Sequence, residues 1–301
     1  MNDSWTARLS NFSNGLVGVI AVLVVVQMVS GVLLSMWYVP SRAPAVTSNG
    51  SHATISYGSR IERVGSFTDT LGVDGVATLL PARSGDVVPS AAGASVAVDV
   101  ANAPGGHLLR SIHHNNTGWM YGLGALWFLL LIVRVAYRAE PSAWWRAVVF
   151  LTLIIIGAWS GRLLPDDVYS EISRRIVGHE LQEAPFGKFF ASLFGVDPVA
   201  PLISRTWVMH VLTGTALLAA FWKPLSAMRG AASTASGVSR YWASRGLALT
   251  AIVVASALLP PAVTPVRDAV GGVSGQTHID PWWVVSPLHT LVGWFGAELT
   301  G

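Results

Sequence analysis

The sequence predicts an all-α polytopic membrane protein of about six transmembrane helices with one large loop insert, and three observations carry that expectation. Charged residues fill only 12% of the 301 positions while 52% are apolar, against about 25% charged in soluble domains. The mean hydropathy is +0.52. The apolar residues are also gathered into long runs, of which Leu16 to Pro40 carries no charge over 25 positions; a span needs about 20.

Windows of about 19 residues place spans at 14–38, 115–137, 143–164, 203–223, 245–262 and, more weakly, 282–298. The first run is too long for a signal-peptide core and is followed by no small-residue cleavage site, so it is expected to remain as the first helix. Arg134, Arg138 and Arg146, opposed only by Glu140, lie between the second and third spans, and Lys223, Arg229, Arg240 and Arg245 lie between the fourth and fifth. The positive-inside rule puts both loops in the cytoplasm, with the N-terminus. Residues 41–106 and 166–201, where acids match or outnumber bases, then face outwards. The first of these holds short alternating pieces, Ala53 to Tyr57 and Ser95 to Val100, which suggest a small strand-rich cap. The second holds Tyr169 to Val177 and Phe186 to Phe194, whose one-sided apolar spacing suggests helices lying at the membrane interface.

The absence of cysteine removes thiolate catalysis, iron–sulfur clusters and a covalently attached heme, so a cofactor must be held through His, carboxylates or non-covalent contacts. Of the eight histidines, His210 sits inside an apolar run, where an ionisable side chain is costly and points to function. His113 and His114 stand at the mouth of the second span. Both places fall near the outer face, which suits a bis-His metal or heme site. Arg110, one turn before His113, and Arg205, before His210, supply cations that can pair with propionates. Spacing equally allows a His210 hydrogen-bonded to a neighbouring helix and an interfacial His113. Gly31, Gly157 and Gly161 remove side chains at the same depth, for close helix packing or for a flat macrocycle. His179, Glu180 and Glu183 lack the second histidine of a zincin helix and read as a solvated face. No phosphate-binding loop, dinucleotide fingerprint or nucleophile elbow occurs, nothing suggests a nucleic-acid partner, and Trp37, Trp144 and Trp145 at span ends suit an aromatic belt.

Together these residues resemble the cytochrome b family of bc-type and b-f-type quinol complexes. Helix A reads Gln27-Met-Val-Ser-Gly31-Val-Leu-Leu-Ser-Met36-Trp-Tyr38, similar to the family's Gln-x-x-Thr-Gly-x-x-Leu-x-Met-x-Tyr. Arg110-Ser-Ile-His113 opens helix B, Gly161-Arg-Leu-Leu-Pro165 closes helix C, and Ser204-Arg205 precedes His210 on helix D. His278-Ile-Asp-Pro281 is like the motif that opens the family's outer quinol site. The resemblance implies a four-helix heme-binding bundle over 1–225, with the insert 41–106 and interfacial helices 166–201, followed by truncated C-terminal-type helices over 226–301. It implies that His113, rather than His114, and His210 ligate one non-covalent heme b in the outer leaflet. Gly31 and Gly161 would flank its plane, and Arg110 and Arg205 would bind its propionates.

Departures from the family pattern limit what carries over. The second histidine that the family places on helix B, about 21 Å further along the axis, is Trp127 here, and Lys223, Pro224 and Leu225 stand where helix D would offer its own. Val17 and Ala147 replace the inner glycines. The inner heme is therefore expected to be missing, with Trp127 and Trp222 filling its space. Asp166 stands where the family has Trp after Leu-Pro, and Trp282 where it has the quinol-site glutamate, so no catalytic residue is assigned. The expected protein is a single-heme subunit of a quinol:cytochrome c reductase-like complex in the bacterial inner membrane. Its partners would be an intact cytochrome b, a Rieske protein, a c-type cytochrome, lipid and a quinone. The rival expectation is a redox-silent scaffold that keeps the fold to dock subunits.

Overall fold

The computed structural model describes residues 3–57, 77–197, 201–224, 246, 249–259 and 267–270. The expected span at 282–298, the motif at His278 to Trp282, and the loop arginines Arg229, Arg240 and Arg245 lie outside the described residues, as do residues 58–76 of the insert.

Four long helices form the frame: α1 (Asp3–Ser35), α3 (Gly106–Val133), α5 (Pro141–Leu163) and α8 (Ile203–Ala220). Neighbouring pairs pack in a closed ring, α1 on α3, α3 on α5, α5 on α8, and α8 back on α1. Three of them, over Leu9–Ser35, Gly106–Val133 and Pro141–Leu163, are long and apolar enough to cross a membrane. The helix Leu249–Leu258 falls within the expected fifth span. Asn115 on α3 caps it by donating Nδ2–H to the carbonyls of Ser256 (3.1 Å) and Leu259 (2.7 Å).

Local chemistry sets the helix ends. Pro141 takes the first position of α5, where a missing N–H costs nothing. Gly105, at φ 71°, starts α3, nine residues ahead of the expected span. Hydropathy discounts Asn115, Asn116 and Thr117, yet the structure buries Asn116 and Thr117 within the bundle, so His113 and His114 sit two turns inside the helix.

Between α1 and α3 the insert forms an antiparallel hairpin of β1 (Ala53–Tyr57) and β2 (Ala77–Pro81), with Ala53 opposite Pro81 and Tyr57 opposite Ala77. The expected strand at Ser95 to Val100 is instead a π-helical turn that continues α2 (Ala91–Ala94). Ser90 caps this helix by accepting the Gly93 N–H at 3.1 Å, and the alanine run propagates it despite the alternation that follows. The connection after α5 folds as expected into α6 (Val168–Glu183) and α7 (Gly187–Phe194). Asp167 caps α6 through the Ser170 N–H (2.8 Å).

In the half of the bundle away from His113 and His210, Trp127, Phe150 and Phe221 are fully buried with Leu23, Leu131, Ala147 and Leu217 around them. Phe221 meets Trp127 at 6.2 Å and Phe150 at 5.2 Å between ring centroids, both edge-on. Gly124 admits Phe150, since a Cβ there would lie 2.3 Å from the ring. Trp127 thus takes the expected filling position, but its partner is Phe221. Trp222, in the helical turn that follows α8, is 60% exposed, because a one-residue step from Phe221 turns the side chain about 100° away from the core face.

Candidate functional site

At the other end of the bundle α3 and α8 bring His113 and His210 face to face, ring centroids 6.0 Å apart and planes crossed at 69°. Ordinary aromatic pairs share such separations of about 4.5–7 Å, so the contact alone assigns nothing. Two further features do. Each imidazole lies against a glycine of the adjacent helix: a Cβ on Gly31 would come within 2.9 Å of His113 Cε1, and one on Gly161 within 2.7 Å of His210 Cε1. Any side chain there would push the ring out of place.

The second feature is hydrogen bonding at Nδ1. His210 Nδ1 lies 3.0 Å from the Gly157 carbonyl and 3.2 Å from Ser160 Oγ, and His113 Nδ1 lies 3.0 Å from Ser30 Oγ. A carbonyl can only accept, so His210 carries its proton on Nδ1 and presents a lone pair at Nε2. Metal-ligating histidines have this arrangement, with the far ring N–H given to a carbonyl or other fixed acceptor. The donor set, two neutral imidazoles from opposite helices with no thiolate, suits heme iron. These residues fit a heme b, and the glycines leave room for the imidazoles that would ligate it.

Of the other expected residues, Arg110 sits on α3 one turn before His113. Arg205 donates Nη1–H to the Ser192 carbonyl at 2.9 Å, which ties α8 to α7. His114 follows His113 on α3. His179 and Glu183 are 3.9 Å apart with side chains 71% and 74% exposed, a solvated pair. No cluster of three or more His, Asp or Glu suited to a metal occurs among the described residues.

Sequence reading missed a second polar centre at the end of α5. Asp166, at φ 49°, has a fully buried carboxylate bound by Arg42 (3.2 Å), Arg174 (3.2 Å) and Arg267 (2.9 Å). Glu171 joins it through Arg42, Arg174 (3.0 Å) and Arg175 (2.9 Å). Burial raises the Glu171 pKa, but Arg42, Arg175 and Arg174 outweigh it and hold the carboxyl below the usual range. Burial also pushes up the Tyr38 phenol, assisted by Asp166, and its O–H donates to the Leu164 carbonyl at 2.8 Å. The network fastens the insert, through Arg42, to the helix ends. The positions are scattered in the chain, and only the substitution of Asp166 for the family's Trp marked the place.

A family model described as Cytochrome b(N-terminal)/b6/petB matches residues 125–287, more than half of the chain. The chain belongs to this family and is an integral membrane protein of cytochrome b type. Heme b binding and electron transport go with the family. No curated protein matches the chain. The matched stretch takes in Gly161, Arg205 and His210 but begins after His113, so Gly31, Arg110 and His113 rest on motif and geometry.

Proposed function

We propose that this chain is a single-heme electron-transfer subunit of a quinol:cytochrome c reductase-like complex, in which His113 and His210 would ligate one non-covalent heme b. The observation that carries the reading is the matched pair of imidazoles, each laid against a glycine, Gly31 or Gly161, with Nδ1 hydrogen-bonded to the neighbouring helix. When bound, the heme supplies a one-electron carrier. The chain's own residues would hold it: His113 and His210 would present Nε2, Gly31 and Gly161 would make room for the two imidazoles, and Arg110 and Arg205 would pair with propionates. The loop charges favour an outer-leaflet site with the N-terminus in the cytoplasm, and the setting in this reading is a bacterial inner membrane.

The family's second heme has no counterpart in this reading, because Trp127, Phe150 and Phe221 occupy the core at the depth of the missing histidine. An electron carrier confined to one half of the bundle needs a partner for transmembrane transfer. The proposed assembly therefore includes an intact cytochrome b, with a Rieske protein, a c-type cytochrome and a quinone. Heme counted against polypeptide in the purified chain tests the proposal: a ratio of one supports it, and two, or none, contradicts it.

A further inference from the structure

Resting on that assignment of the ligands, we propose that Ser30 and Ser160 are positioning residues that accept a hydrogen bond from Nδ1–H of His113 and His210 and so raise the basicity of the two ligating nitrogens. Each serine directly precedes the glycine that receives the ring, as Ser30-Gly31 on α1 and Ser160-Gly161 on α5. Both are buried, at 3% and 0% exposure, and neither was singled out by its residue type.

The proton positions follow from the network. A serine hydroxyl has one proton to give. Ser30 Oγ–H is committed to the carbonyl of its own helix at Val26 (2.8 Å), leaving a lone pair towards His113 Nδ1 at 3.0 Å. That ring nitrogen must then be the donor. The other side of the ring agrees: Gln27 Oε1 accepts from Asn116 Nδ2 (2.8 Å), which turns Gln27 Nε2, a donor, towards Thr117 Oγ1 (2.9 Å) and His113 Nε2 (3.3 Å). Asn116 is itself oriented by donating to the Leu23 carbonyl at 2.9 Å. His113 Nε2 therefore carries the lone pair.

His210 repeats the pattern. Ser160 Oγ–H goes to the Ile156 carbonyl (2.8 Å) and faces His210 Nδ1 at 3.2 Å, with the Gly157 carbonyl at 3.0 Å. The Gln27 carbonyl, three residues before Ser30 as Gly157 is before Ser160, likewise hydrogen-bonds the His113 ring. Each imidazole is therefore held by a serine hydroxyl and a carbonyl of the neighbouring helix. Hydrogen bonding at the far nitrogen raises the basicity of a ligating imidazole and so favours the oxidised, more positive iron.

Redox titration of the full-length, membrane-extracted protein tests the role. Ser30→Ala should raise the heme midpoint potential, by up to the tenfold change in redox preference that corresponds to about 59 mV in a one-electron couple. Ser160→Ala should move it in the same direction, and Ser30→Thr, which keeps the hydroxyl, should return the wild-type value. Heme loss in Ser30→Ala that Ser30→Thr reverses would equally support the role. An unshifted Ser30→Ala, or a Thr variant that behaves as Ala does, overturns it. Nitrogen NMR of labelled histidine in heme-free protein gives a second arm that does not depend on the ligand assignment. Both rings should show the Nδ1–H tautomer in the wild type, and Ser30→Ala should shift the nitrogen signals of His113 alone. A wild-type Nε2–H tautomer overturns the proposal; a wild type that takes up no heme sinks the ligand assignment instead.

Discussion

The Phe221 ring stands edge-on to the Trp127 indole at 6.2 Å, and with Phe150 the pair closes the half of the four-helix bundle away from the facing histidines. All three side chains are fully buried, and among the described residues they are the three largest that are.

Trp127→Ala should destabilise the protein by about 3–5 kcal/mol, the range for emptying a large aromatic site in a packed core. Trp222→Ala, at a side chain 60% exposed, should stay within about 0.5 kcal/mol. Thermal unfolding in a single detergent, comparing the two variants, checks the contrast. Equal losses would place the wrong residue in the core.

Much of this architecture was legible in the sequence, and the failures have physical causes. The long spans, α6 and α7 announce themselves by apolar runs and helical spacing, and His210 by its isolation among apolar neighbours. The start of α3 was hidden because Asn116 and Thr117 look like loop residues until their partners on α1 are known. Trp222 was preferred over Phe221 on size, whereas the phase of α8 decides which ring points inwards. Ser30 and Ser160 carried no signal by type, since a helix serine most often bonds its own backbone; both do so here, and their second role depends on a ring from another helix.

Gly161→Ala should weaken heme retention, because the added methyl would lie 2.7 Å from His210 Cε1. Gly122, on an exposed face of α3 with nothing within 4 Å of a Cβ, should accept alanine without effect on heme. Heme content after extraction measures both. Equal retention in the two variants would show that the ring does not need the space over Gly161.

The charge cluster around Asp166 predicts a pH dependence. The Glu171 carboxyl is held below its ordinary range, so its contribution is fully present above the unfolded glutamate pKa of about 4.3 and is lost as pH falls through the lower folded value. The melting temperature should therefore decline below about pH 4.3, and Glu171→Gln should flatten that part of the profile. Removing one member outright is costlier: Asp166→Asn, which strips the carboxylate from three arginines, should destabilise by about 3–5 kcal/mol.

The isolated subunit should not oxidise quinol. A quinol must give up protons to a titratable group within hydrogen-bond reach. Asp166 is buried under Arg42, Arg174 and Arg267, and the position after Pro281 is Trp282. Stopped-flow mixing of heme-loaded protein with a quinol should give no fast, inhibitor-sensitive heme reduction. Its appearance would locate a proton acceptor elsewhere in this chain.

The central claim is that His113 and His210 together hold one heme b, and the reduced-minus-oxidised spectrum of His210→Ala beside the wild type tests it most directly. The wild type should show a low-spin b-type spectrum at one heme per polypeptide. His210→Ala should lose that spectrum, since an imidazole inside the bundle has no local substitute. A low-spin spectrum retained unchanged in His210→Ala would contradict the account.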